Sequence, residues 1–210
     1  MTKSCCCKLI CNGCASATTT SILEGLLKQT CPFCRHPLAT TKAEVDANVM
    51  KRFEANDPVA LRQMGIRRYN EGDYGSAFEY LTKAARMGDV DAHFNLSLMY
   101  ETGTGVEKDL KKQIYHLEEA AIDSHPEARH NLGHIEWNSS NKERAVKHFI
   151  IAANLGDDNS VDMLKQGYKE GSVSKEDFAA ALRAHQAAVD AMKSPGRDAA
   201  AAEKGWEMIK

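Results

Sequence analysis

The seven cysteines of this 210-residue chain are Cys5, Cys6, Cys7, Cys11, Cys14, Cys31 and Cys34, and the long body beyond Cys34 has none. Cys11 and Cys14 form one C-x2-C pair and Cys31 and Cys34 another, with Ala15 to Thr30 between the pairs. Two such pairs offer four soft thiolates, and zinc takes four ligands in a tetrahedron. The spacing therefore points to a Zn2+ site. Disulfides are the alternative chemistry, but in a reducing compartment clustered thiols hold metal more often than they pair. For Cys5-Cys6-Cys7 palmitoylation is a further alternative, which no basic cluster or second anchor supports.

Other residues with chemical potential are few. His130 and His134 stand four apart on a predicted helix, a spacing that can hold zinc. Asn131 follows His130 where a zinc protease carries Glu, and no third ligand is evident. Gly103-Thr104-Gly105 is too short to cradle a phosphate, and no Gly-Lys-Ser follows it. Acidic pairs such as Glu118-Glu119 and Asp157-Asp158 fall on helix surfaces or ends, where solvent and the helix dipole explain them. Beyond Cys34 no serine sits in a nucleophile motif, so no catalytic residue is assigned.

Composition narrows the function further. A net charge of -2 and a pI near 6.4 give no electrostatic case for nucleic acid. No apolar run approaches the roughly 20 residues that span a bilayer. Met1-Thr2-Lys3-Ser4 leads directly into cysteines, without the apolar core of a signal peptide. The expected location is intracellular, cytoplasmic or nuclear.

Cys5-Cys6-Cys7-Lys8-Leu9-Ile10-Cys11-Asn12-Gly13-Cys14 and Cys31-Pro32-Phe33-Cys34-Arg35 together resemble the C-terminal two-thirds of a RING finger. The resemblance implies a crossed pair of zinc sites. Two of Cys5, Cys6 and Cys7, assigned as Cys5 and Cys6, would share one metal with Cys31 and Cys34, and Cys11 with Cys14 would belong to the other site and lack their partners. Arg35 would take the position that often contacts ubiquitin in a ligase. Leu23, Leu26 and Leu27 would pack the small core or help to dock a ubiquitin-conjugating enzyme. The family's first ligand pair is missing, and Lys8 stands where a histidine ligand is usual. The expectation is a RING shortened at its start or degenerate.

From Asp57 onward the chain repeats itself, and the repeat decides the fold. Ala60-Met64-Tyr69, Ala92-Leu96-Tyr100, Ala128-Leu132-Trp137 and Ser160-Leu164-Tyr168 start at intervals of 32, 36 and 32. Ala84-Ala85, Ala120-Ala121, Ala152-Ala153 and Ala188-Val189 recur at intervals of 36, 32 and 36. Within each segment the small and apolar residues fall at helical spacing. Gly65 and Gly133 beside the stripe let helices approach closely. Asn70-Glu71-Gly72-Asp73, Thr102-Gly103-Thr104-Gly105, Asn138-Ser139-Ser140-Asn141 and Glu170-Gly171-Ser172 read as turns inside each unit. Gly88 and Gly156 end two of the second helices.

The pattern from Asp73 to Gly88, with Ala77, Tyr80, Leu81, Ala84 and Ala85, resembles the Sel-1-like repeats, relatives of the tetratricopeptide repeats. Asn141 to Gly156 repeats it, and Gly103-Thr104-Gly105-Val106 matches the family's longer loop. The resemblance implies an all-α solenoid of stacked antiparallel helical hairpins, beside a small N-terminal zinc-binding RING-like module. The predicted organisation is a partial RING-like module over 1–40 and a linker or capping helix over 41–56. Four repeats follow over 57–194, then a C-terminal helix or tail over 195–210. Val45, Val49, Met50 and Phe53 form the apolar side of the capping helix, and Trp206 in the tail is expected to pack back on the array.

If tetratricopeptide geometry carries over, Arg62, Phe94, His130 and His134 line a concave groove and contact a protein or peptide partner. The expected function is an interaction adaptor built on the repeat surface, with a zinc head as a second docking module. The alternative is a RING-type ubiquitin ligase whose repeats recruit substrate and whose head positions a ubiquitin-conjugating enzyme.

Overall fold

A computed structural model describes residues 30–31, 37–39 and 41–192. Among these residues there are nine helices and no strand. The helices are α1 (Lys42–Glu54), α2 (Pro58–Asn70), α3 (Tyr74–Arg86), α4 (Val90–Thr102), α5 (Leu110–Ile122), α6 (Pro126–Asn138), α7 (Lys142–Asn154), α8 (Asp158–Lys169) and α9 (Lys175–Met192). The chain divides into two compact units, residues 1–60 with 192–210 and Leu61–Ala191.

In the first unit, α1 opens on a capping box. Thr41 Oγ1 accepts from the Glu44 amide at 3.2 Å, and Glu44 Oε2 accepts from the Thr41 amide at 3.3 Å. The two bonds satisfy amides that a helix start leaves without intrahelical partners. No residue of α1 is buried. An isolated antiparallel bridge joins Thr30 to Pro37 on either side of the second cysteine pair.

The second unit is a solenoid of helical hairpins: α2 with α3, α4 with α5, α6 with α7, and α8 with α9. From α3 through α8, successive helices pack on one another. In the first and third hairpins the first helix carries a glycine where the second presents a large side chain. A Cβ at Gly65 would lie 2.8 Å from Leu81 Cγ, and one at Gly133 only 2.6 Å from Phe149 Cε1. Ser97 holds the same register in the second hairpin, buried, with its hydroxyl donating to the Phe94 carbonyl at 2.6 Å. Leu81, Leu117 and Phe149 are fully buried, and so are Ala92, Ala128 and Ser160 on the first helices. The recurring alanine pairs point inward, since Ala84, Ala85, Ala120, Ala121, Ala152 and Ala153 are all buried.

One local structure precedes the first helix of every hairpin. The residue at each junction is left-handed: Asn56 at φ 54°, Gly88 at 84°, Ser124 at 63° and Gly156 at 93°. The amide after it reaches back to the preceding helix, as in Asp89 N–H to Ala84 O at 3.1 Å and Asp157 N–H to Ala152 O at 3.1 Å. This is the Schellman arrangement that satisfies the last carbonyls of a helix. The same residue then caps the next helix. Asp57, Asp89, His125 and Asp157 accept from the amides of Ala60, Ala92, Ala128 and Ser160 at 3.1, 2.8, 3.2 and 2.7 Å.

Two glycine substitutions should separate the conformational and packing demands of the repeat. At Gly88 nothing lies within 4 Å of an added Cβ, so Gly88→Ala carries only the left-handed backbone cost, about 1–2 kcal/mol. Gly133 is helical, where alanine is otherwise favoured, so Gly133→Ala carries a packing cost instead. A methyl group driven into Phe149 should destabilise by about 1–3 kcal/mol. Urea unfolding followed by circular dichroism measures both; a Gly133→Ala variant as stable as wild type would contradict the packing account.

Candidate functional site

The joints are where the polar chemistry of the second unit gathers. Position 62 of α2 recurs at 94 in α4 and at 130 in α6, and each of these side chains meets the next repeat's capping residue. Arg62 Nε lies 2.8 Å from Asp89 Oδ1 and its Nη2 lies 2.9 Å from Asp91 Oδ2. The Nε contact is ionic and lies off the N–H axis. Phe94 stacks on the His125 ring, centroids 4.5 Å apart. His125 Nδ1 accepts the Ala128 amide, so its ring proton sits on Nε2, which faces Asp91 Oδ1 at 3.6 Å. The hydrogen bond with His125, then the Arg62 charge, lowers the Asp91 pKa against its partial burial. Arg62 and Phe94 therefore meet at opposite ends of one network, Arg62–Asp91–His125–Phe94.

His130 occupies the third joint. Its Nδ1 lies 2.8 Å from Ser160 Oγ and 3.2 Å from Asp157 Oδ2. A serine, a histidine and an aspartate in contact raise the question of a hydrolytic triad. In a triad the hydroxyl and the carboxylate engage opposite ring nitrogens. Here both engage Nδ1, and Ser160 is fully buried. The group joins helices and has no exposed nucleophile. His134 sits edge-on to His130 with centroids 4.8 Å apart, and both rings pack on Phe149. Burial lowers the His130 pKa, outweighing the Asp157 carboxylate that raises it.

Of the four residues expected to line a groove, Arg62 and His130 have side chains only 14% and 13% exposed. They are turned toward the following repeat. The more open face of the first helices lies one turn along. Ile66, Tyr69, Asn70, Leu81, Leu98 and Met99, with Asn95, line a mostly apolar cup of about 240 Å³ across α2 and α4. A second cleft of about 330 Å³ lies among α5, α6 and α7, where Arg129 and His148 stand beside Leu132 and Glu136.

The sequence reading overlooked two features. One is the ladder of capping residues, visible as Asp57, Asp89, His125 and Asp157 at intervals of 32, 36 and 32. The other is a contact between His93 on α4 and His116 on α5, whose Nδ1 atoms lie 3.0 Å apart. His93 Nε2 donates to the Ala85 carbonyl at 3.1 Å. Burial, then the neighbouring His93, pushes the His116 pKa down to about 4, so His116 is neutral at physiological pH. The two rings stand on different helices, and no local spacing signals the contact.

Cys31 is buried. Cys5, Cys6, Cys7, Cys11, Cys14, Cys34, Arg35, Leu23, Leu26, Leu27 and Trp206 lie outside the described residues. Among the described residues, no three His, Cys, Asp or Glu side chains converge on a metal position, and no helix is long and apolar enough to cross a membrane.

The joints and hairpins belong to a known architecture. The Sel1 repeat family matches residues 58–89, 90–125 and 126–157. Over that stretch, just under half of the chain, the sequence carries three Sel1 repeats, and Sel1 repeat proteins act as protein-interaction scaffolds. The protein named DAP3-binding cell death enhancer 1 from Rattus norvegicus is 26% identical over 202 residues, covering 77% of this chain. The chain spans 40% of that relative's length. A crystal structure of a protective antigen of uropathogenic Escherichia coli strains, displaying an SLR fold, aligns with a TM-score of 0.57. It is 26% identical over 70% of this chain and 33% of its own. A Sel1 repeat protein from Oxalobacter formigenes aligns with a TM-score of 0.60 at 24% identity, over 87% of this chain and 74% of its own. That last likeness shows the fold alone.

The joints predict two responses. Asp89→Ala removes a helix cap and one of the two partners of Arg62, and should destabilise by about 1–3 kcal/mol. A double-mutant cycle with Arg62→Met should show coupling of about 0.5–3 kcal/mol, measured by urea unfolding; strict additivity would mean the ion contact adds nothing. The second response is to pH. The His130 and His148 pKa values both lie below 6.5 in the folded chain, chiefly through burial. The unfolded chain therefore binds more protons below pH 6.5, and their stability contribution, complete above that pH, fades toward the lowered folded values. Asp91, lowered from 3.8, adds its own loss only at more acidic pH. Stability should fall as the pH drops from about 7 toward about 4, where His116 is protonated as well, and less steeply in His130→Gln. An unchanged slope in that variant would remove His130 from the account.

Proposed function

We propose that this chain is an adaptor whose helical repeats hold a protein partner against the open face of their first helices. The observation that carries this reading is the cup across α2 and α4. Its apolar floor of Ile66, Leu81, Leu98 and Met99 fits an apolar partner side chain, and the amides of Asn70 and Asn95 offer hydrogen bonds around it. Concave, mostly apolar sites with a few placed polar groups are the usual form of a recognition site. Gln63, Asn95 and Asn131 repeat an amide at one register of successive repeats, as an extended segment crossing them would use. Arg62, Phe94, His130 and His134 lie next to this face; on this reading Arg62 and His130 hold its curvature, and Phe94 and His134 border the partner.

DAP3, the partner that names the rat relative, is the first ligand to test. Binding of the full chain to DAP3 should be measured by calorimetry beside Ile66→Asp and Leu98→Asp variants whose circular dichroism matches wild type. Loss of binding in both variants is expected. Full binding in both would remove the cup from the proposal, and no binding by the wild type would remove DAP3.

A second reading concerns the cysteine-rich head. We propose that Cys5, Cys6, Cys11, Cys14, Cys31 and Cys34 hold Zn2+. Burial of Cys31 and the isolated bridge between Thr30 and Pro37 support it. Thiolates suit zinc as ligands. With Arg35 beside that pair, a ubiquitin ligase that positions a conjugating enzyme is the alternative function. Zinc per chain by elemental analysis, followed by a ubiquitin transfer assay, separates these ideas. Absence of protein-bound zinc would end both.

A further inference from the structure

We propose that His93 and His116 form a second metal site, for a divalent ion of the zinc, nickel or copper class, in which the ion replaces the proton the two rings share. Their Nδ1 atoms face one another at 3.0 Å across α4 and α5. A carbonyl can only accept, so the bond to Ala85 O places the His93 proton on Nε2 and leaves Nδ1 with a free lone pair. The bridging proton therefore belongs to His116 Nδ1. A backbone carbonyl holding the distal N–H of an imidazole is the usual outer partner of a ligating histidine, because it fixes tautomer and ring orientation.

The geometry needs little adjustment. Two Zn–N bonds of about 2.0–2.1 Å at a tetrahedral angle separate the nitrogens by about 3.3 Å. The rings would open by about 0.3 Å, and His116 would carry its proton on Nε2 instead of Nδ1. No net proton is released, and water completes the coordination. The ring orientations are held from outside: Tyr100 stacks on His116 at 5.6 Å, and Tyr115 meets both rings edge-on.

Comparison within the molecule shows that the pair is particular to one repeat. The same two registers carry Leu61 and Tyr80 in the first repeat, and Arg129 and His148 in the third. Leucine and a guanidinium cannot ligate, so among these three repeats the second presents two imidazoles and the others do not. The first repeat also shows that the register accepts tyrosine, which supplies a variant expected to fold.

The test is a ZnCl2 titration of the full chain, labelled with 15N and followed through the imidazole nitrogens. The expected result is that the Nδ1 signals of His93 and His116 move together and saturate together. In His116→Tyr the His93 response should weaken by about tenfold or more. Zinc taken up by the head cysteines changes the total bound but not these two signals. Nδ1 signals that stay fixed up to millimolar zinc would overturn the proposal, and so would a His93 response unchanged in His116→Tyr.

Discussion

Everything in the second unit follows from the joint between one repeat and the next. A solenoid has no long-range contacts to correct an error in its stacking angle. Each joint must therefore set that angle locally, and it does so by giving one residue two tasks. Asp89 donates its amide to the end of α3 and accepts, through its side chain, from the start of α4. The outgoing and incoming helix ends are satisfied by neighbouring atoms, which fixes the turn between them. A left-handed residue directly before it makes the geometry reachable. The segments matched by the Sel1 family end at Asp89, His125 and Asp157, which are the capping residues themselves. The repeat unit in sequence is the interval between successive caps in structure.

The identity of the cap then governs which side chain the preceding repeat can offer. An aspartate cap carries a charge that is only 7% exposed at Asp89, and it meets a guanidinium or an imidazole: Arg62 at Asp89, His130 at Asp157. A histidine cap is a flat ring, and the same register answers with Phe94. The pairs differ in chemistry but occupy one position in the fold. The stacked rings exchange no charge of their own, but His125 also faces Asp91, so the first and middle joints share one network through that carboxylate. Packing inside each hairpin follows a parallel rule of complementary volume, with Gly133 opposite Phe149 and Gly65 opposite Leu81.

Much of this could be read in the amino-acid sequence. The alanine pairs and the Ala–Leu–aromatic stripes recur in step because every repeat buries the same two faces, so the period and the pairing of helices were both visible. The aromatic itself stands one place later in the first and third repeats, at Tyr69 and Trp137. What could not be read was direction. Arg62 and His130 stand at the right register for a groove, yet each bends to the carboxylate that caps the next repeat, Asp89 and Asp157. Helical periodicity identifies a face; it does not decide between solvent and the next repeat as the target of a long polar side chain. The contact between His93 and His116, on two different helices, was invisible for the same reason.

The placement of polarity bears on how such a protein can bind. At the joints the buried charges are already partnered, so a ligand gains little by competing for them and would have to leave a cap unsatisfied to do so. The cup across α2 and α4 makes the opposite offer. Its floor is apolar, and covering it displaces water without breaking an existing bond. Affinity should then come from the side chains between the joints, while the joints determine the spacing at which those side chains are presented. The matched repeat 90–125 is longer than 58–89 and 126–157, so the faces come in the same order but with a longer connection before α5. On the proposed reading, specificity lies with the residues of the open registers, such as Ile66, Leu98 and Asn131, while Asp89, His125 and Asp157 at the closed ones cap the helices and keep the fold.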